Sequence, residues 1–282
     1  MSWATKRGWW AEPTLRITNG TFGRSGLVAL ILIALLSADA ASAEDKKDDK
    51  KKEAPKILCV SPFAIIPGTT SNLRIRGQSL ADATGIKVAA ASGDPLAGTI
   101  KSKGKSEPPK PFEAARAGDT ELQVELKFPA TAKPGEFSIV VITPNGETPP
   151  VSLRVVDPAV TVNEKEPNGG FKTAQELPLD KTVLGIIQET SDVDVFRIGG
   201  RAGMKIIAEV KAERSGSLLD GALTLYDAAG HVLATADDSD GSRDPILRAT
   251  LGSDGVYYLS LTDANDRGSS SHAYELTVRE DK

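Results

Sequence analysis

Across 282 residues, 34 lysines and arginines are set against 38 aspartates and glutamates, a formal charge of -4. That balance argues against a nucleic-acid partner, whose binders carry a basic surface. A single cysteine, Cys59, excludes an intramolecular disulfide, and the length allows two domains of ordinary size.

In chain order the first element is a leader. Lys6, Arg7, Arg16 and Arg24 precede an apolar run from Leu27 to Leu36, and the small residues Ser37 to Ala43 follow it. A basic region, a short apolar core and a small-x-small site make a secretory signal peptide, with cleavage expected after Ala43. As a helix the run covers about 15 Å, too little for a hydrocarbon layer of about 30 Å. The alternative is an uncleaved anchor. Cleavage removes four basic and two acidic residues and leaves the mature chain, 44–282, at -6 with no membrane span. The protein is therefore expected to be secreted or periplasmic.

Residues 44–56 are almost wholly charged and offer nothing to bury, so they read as a disordered linker. Beyond them the chain reads as β. Leu73-Arg74-Ile75-Arg76, Leu122 to Phe128 and Tyr274 to Arg279 alternate apolar and polar residues, as a strand with one wet face does. Pro67-Gly68, Pro134-Gly135, Asn145-Gly146, Ala229-Gly230 and Asp254-Gly255 punctuate these runs as turns. No stretch shows a helical period. Cys59 lies in the apolar stretch Ile57 to Val60 and reads as a buried structural thiol. The polar, proline-containing segment Lys101 to Lys110 reads as an exposed loop. A boundary near Asp157-Pro158 separates two units, 57–157 and 158–282, each large enough to bury a core. The first holds eleven basic and ten acidic residues, the second thirteen and twenty-one, so the acidic excess belongs to the second. The fold class expected is all-β, two consecutive β-sandwiches.

Two resemblances sharpen this. Val60-Ser61-Pro62, Ile66 to Thr70, Leu73 to Leu80 and Ala132 to Val141 with Thr143 to Gly146 resemble the opening and close of the IPT/TIG immunoglobulin-like family. That resemblance implies an immunoglobulin-type sandwich over 57–157 used as a spacer or adhesion module, and it assigns no site. In the second unit the pattern comprises Glu164 to Asn168, Gly185 to Ile187, Asp192 to Phe196, Leu218 to Leu225, Asp227 to Gly230, Asp237-Asp238, Gly255 to Tyr258 and Tyr274 to Leu276. It is similar to the bacterial pre-peptidase C-terminal family, implying a jelly-roll-like sandwich over 158–282. Relatives of that family, the collagen-binding domains of bacterial collagenases, hold calcium where an N-terminal linker folds against the sandwich.

Calcium takes six to eight oxygen ligands at about 2.3–2.6 Å. Glu164, Glu166 and Asn168 alternate, so an extended segment aims them one way, and Pro167 biases Glu166 toward extended backbone. Asp192 and Asp194 form a second alternating pair. By resemblance Glu164, Glu166, Asn168, Asp192 and Asp194 are the calcium ligands, with Tyr274 a weaker candidate. Gly169 stands where those relatives often carry another acid, which removes a ligand. The competing reading makes these carboxylates solvated turn residues and strand caps, with Tyr274 a core side chain. A further cluster, Asp237-Asp238-Ser239-Asp240-Gly241 with Asp244, makes Asp238 and Asp240 additional metal candidates, or a polar turn between strands.

The two histidines, His231 and His272, lack zinc spacing, and no nucleophile elbow, P-loop or dinucleotide fingerprint is present. The expectation is an exported, non-catalytic binding or accessory protein. It attaches to an extracellular or envelope protein or polysaccharide, with calcium stabilising the second sandwich. The alternative is a structural module that helps a secreted partner fold or stay soluble without metal. All three tryptophans, Trp3, Trp9 and Trp10, precede residue 43, so the mature chain has none for stacking on sugar rings.

Overall fold

A computed structural model describes residues 53–90, 96–239 and 241–282. The expected leader at 1–43, the expected linker up to residue 52 and the candidate ligand Asp240 lie outside the described residues. Among these residues the protein is all-β. Its helices are one turn, α1 (Ala114–Ala117), and a 3-10 turn at Glu213–Ser215. No described helix is long and apolar enough to cross a membrane.

The first unit holds β1 (Lys56–Ser61), β2 (Ala64–Ile65), β3 (Thr70–Gln78), β4 (Gly85–Ala90), β5 (Leu96–Lys105), β6 (Thr120–Lys127), β7 (Gly135–Thr143), β8 (Gly146–Glu147) and β9 (Val151–Val155). They run β1-β3-β6-β5-β4-β7-β9-β2, with β8 on β7. Alternation works as expected: Leu73 and Ile75 of β3 face Leu122, Val124 and Leu126 of β6 in one apolar core with Ile139, Val141 and Leu153. At the turns, Gly68 and Gly146 have positive φ, a region that favours glycine.

Two expectations need correction here. The segment from Lys101 is not loop throughout, since β5 continues to Lys105. It pairs β4 through Leu96–Gly98 and β6 from Thr99 onward, with a register shift between Ile100 and Ser102 in the β6 ladder. One strand thus serves both halves of the unit, and its Lys103 donates to the Ala83 carbonyl at 2.6 Å while Lys101 pairs with Glu125 at 3.1 Å. Arg76, on the supposedly wet face of β3, is only 3% exposed. The loop 106–118 covers it, and its guanidinium donates to the carbonyls of Ala117, Ser106, Glu107 and Gly118 and pairs with Glu121 at 3.0 Å.

The second unit stacks two five-stranded sheets. One runs β10 (Thr161–Asn163), β12 (Lys181–Ile186), β19 (Ala273–Glu280), β14 (Lys205–Lys211) and β17 (Ile246–Thr250). The other runs β11 (Gln175–Glu176), β13 (Val193–Gly200), β18 (Gly255–Asp263), β15 (Gly221–Tyr226) and β16 (Val232–Ala236). Phe196, Ile206, Leu223, Leu259, Leu276 and Val278 are among the side chains that fill the space between them.

The two sandwiches touch. Phe63, Ala64 and Val156 pack on Leu184 and Ala273, with Ile66 and Ile186 beside them. Phe112, from the loop 106–118, lies 5.9 Å from the His272 ring. Cys59 is 1% exposed, as the sequence implies, and its Sγ lies 3.9 Å from the Ser271 carbonyl of the other sandwich. Burial pushes this thiol up to about 11.

Candidate metal centre

β10 delivers the chain to Glu164, whose N–H donates to the Leu184 carbonyl at 2.8 Å. The segment then crosses to the second sheet, where the Asn168 carbonyl accepts the Val195 N–H at 3.1 Å. Glu164, Glu166 and Asn168 are thereby held across the end of the sandwich, beside Asp194 of β13. One carboxylate oxygen from each of Glu164, Glu166 and Asp194 lies within 4.8 Å of the others.

Each ligand candidate is individually positioned. Glu164 Oε2 accepts the Ile186 N–H at 2.9 Å, and its Oε1 accepts Asn168 Nδ2 at 2.9 Å. Glu166 Oε2 accepts the Asn168 N–H at 2.8 Å. The Tyr274 hydroxyl lies 3.0 Å from Glu164 Oε1 and 2.7 Å from Asp194 Oδ2. A phenol has one proton, so it donates to one carboxylate at a time, and the other contact needs a proton on a carboxyl group. Asp194 favours that proton: burial first, then the hydrogen bond and charge of Glu164, push its carboxyl up to about 9. Tyr274 is pushed well above the usual phenol range by burial and the same two carboxylates.

Asn168 and Asp194 are both fully buried, and one acceptor oxygen of each, Asn168 Oδ1 and Asp194 Oδ1, has no hydrogen-bond partner among the described residues. Buried acceptors are normally paired, and leaving one bare costs about 1–3 kcal/mol. The carboxylates of Glu164, Glu166 and Asp194, with the Asn168 amide hydrogen-bonded to Glu164, gather an oxygen-rich donor set of the kind a hard divalent cation takes.

Of the five expected ligands, Glu164, Glu166, Asn168 and Asp194 gather, and Asp192 does not join them. It precedes β13, and its Oδ2 accepts the Gln188 N–H at 2.6 Å to close the turn 188–192. Tyr274 belongs to both of its expected readings: its ring sits in the core while its hydroxyl reaches the carboxylates. Gly185 is a residue whose role sequence reasoning missed. A Cβ there would lie 2.3 Å from the Tyr274 ring, so the tyrosine can reach the site only over a glycine. A lone glycine inside a strand is the signal that marks such close approach.

The second acidic cluster gathers Asp220, Asp237 and Asp238. None of their oxygens is buried without a partner, and Asp220 also pairs with Arg243 at 3.7 Å. Asp244 is fully engaged: it accepts the N–H groups of Ala212, Glu213 and Arg214 and pairs with the Arg214 guanidinium. His231 is exposed and meets Asp227 at 2.9 Å. His272 is buried, with Nδ1 2.8 Å from Ser269 Oγ, and among the described residues Nε2 meets no acid that would orient it as in a catalytic triad.

No family model matches the chain. It is 37% identical over 118 residues, 41% of its length, to a probable subtilase-type serine protease from Deinococcus radiodurans. The matched part is 15% of that relative. Among solved structures, the pre-peptidase C-terminal domain of a collagenase from Bacillus anthracis aligns with 38% of this chain and 94% of its own, at 20% identity and TM-score 0.31. The SGBP-B protein of a Bacteroides ovatus mixed-linkage glucan utilization locus, in complex with a mixed-linkage heptasaccharide, aligns with 76% of this chain and 72% of its own. Its identity is 10% and its TM-score 0.24.

Proposed function

We propose that the protein is an exported, non-catalytic binding or accessory module whose C-terminal sandwich, of the pre-peptidase C-terminal kind, is stabilised by calcium. Glu164, Glu166, Asn168 and Asp194 would hold the ion, with Tyr274 orienting two of the carboxylates. When bound, the ion would supply charge neutralisation in place of the proton on Asp194, and the orphaned oxygens of Asn168 and Asp194 would be available to it. Those two buried oxygens are the observation that carries the reading, because a solvated turn would leave neither of them dry. The first sandwich, of the IPT/TIG kind, serves as a spacer, and the target is an extracellular or envelope protein or polysaccharide.

The likeness to a segment of a protease-type chain favours a second reading, in which the module assists the folding or solubility of a secreted partner. Calorimetric titration of the full chain with calcium, and melting with and without chelator, separate the two. Heat of binding and a melting point raised by calcium are expected. Absence of both removes the cation and leaves the assembly role.

A further inference from the structure

The cation site and the contact between the sandwiches are built on the same strands. On β12, Gly185 faces inward beneath the Tyr274 ring, while its neighbours Leu184 and Ile186 pack against the first sandwich with Phe63, Ala64 and Ile66. On β19, Tyr274 faces the carboxylates, while Ala273 packs on that same apolar cluster. The next residue, Glu275, is 5% exposed, and both of its oxygens accept from Arg154 Nη1 of β9, at 2.7 and 2.6 Å. Glu164 itself lines a cleft of about 320 Å³ whose other wall is Pro62, Ile66, Thr69 and Ser71. Its Oε2 also holds the N–H of Ile186, which packs against the apolar cluster of Phe63 and Ala64.

Period-two alternation puts ligand-holding and sandwich-holding side chains on opposite faces of β12 and β19. A shift of Glu164 or Tyr274 therefore moves backbone that seats the first sandwich. We infer that cation occupancy and docking of the two sandwiches are coupled, so that the ion controls the stiffness of the joint. This rests on the cation reading above. When Glu164 and Asp194 converge on an ion, β10, β12 and β19 are pinned and the apolar contact with Phe63 and Ala64 tightens. Coupling between sites is reciprocal, so loosening the contact from the first sandwich must weaken the ion.

Hydrogen exchange on the full chain, in calcium and in chelator, tests this together with direct calcium titration. Calcium is expected to raise protection in 63–66 and 151–156, neither of which contributes a ligand. Arg154→Gln, at a half-exposed side chain, is expected to weaken calcium binding roughly fivefold or more while the protein remains folded. If calcium binds but exchange in 63–66 is unchanged, or if R154Q binds with wild-type affinity, the joint is independent and the cation cage stands alone. If no calcium binds to the wild-type chain, both the cage and the coupling fall.

Discussion

Asp194 is fully buried and shares its surroundings with Glu164, and burial together with that neighbouring carboxylate pushes its carboxyl up to about 9. In the unfolded chain it ionises near the ordinary carboxylate value, so between these limits the folded state binds the proton more tightly. A raised carboxyl contributes stability that is complete below about pH 4 and is lost as pH rises toward 9. With chelator present, the melting temperature should therefore fall across pH 5 to 9. Calcium held at the proposed site would compete with that proton, so its affinity should rise over the same range. Asp194→Asn keeps the shape without the titration. It is expected to fold in chelator, to flatten the pH slope of the melting temperature, and to lose the response to calcium. A calcium-induced shift retained by D194N would remove Asp194 from the site.

At the scale of elements, the loop 106–118 shows how a long connection gains order. Arg76 donates to four carbonyls that would otherwise lack partners near α1. Arg76→Met fills similar space but leaves those carbonyls bare, and hydrogen bonds from a charged donor are worth about 1.5–3 kcal/mol each. A loss on the order of 3 kcal/mol in denaturant unfolding is expected, along with faster hydrogen exchange throughout 106–118. A loss below about 0.5 kcal/mol, the level of an ordinary surface change, would mean the loop is ordered by other contacts. Strands such as β3, β6 and β19 were legible because their alternation is local and their apolar faces meet one core. Arg76 and Glu275 were not, because alternation predicts a wet face and cannot show that a distant loop or a second sandwich covers it. β5 was illegible for another reason: its Lys, Ser and Gly composition carries no apolar period, and its place is set by pairing partners on both sides. In the site, Glu164, Glu166, Asn168 and Asp194 were readable as alternating oxygen donors. The separate use of Asp192 depends on the turn 188–192, which spacing alone does not describe.

For the molecule as a whole, the contact between the sandwiches decides what solvent can reach. Cys59 lies at this contact, dry and with its proton tightly held, so it is a poor nucleophile while the halves are docked. Under oxidising conditions an accessible lone thiol would cross-link two copies of a chain. Here tertiary packing shields the sulfur. The same shielding makes Cys59 a native gauge of the joint: alkylation by iodoacetamide should be slow in intact protein and should accelerate severalfold in R154Q before any global unfolding. Equal alkylation rates in the two proteins would mean that the sulfur is sheltered by the first sandwich alone.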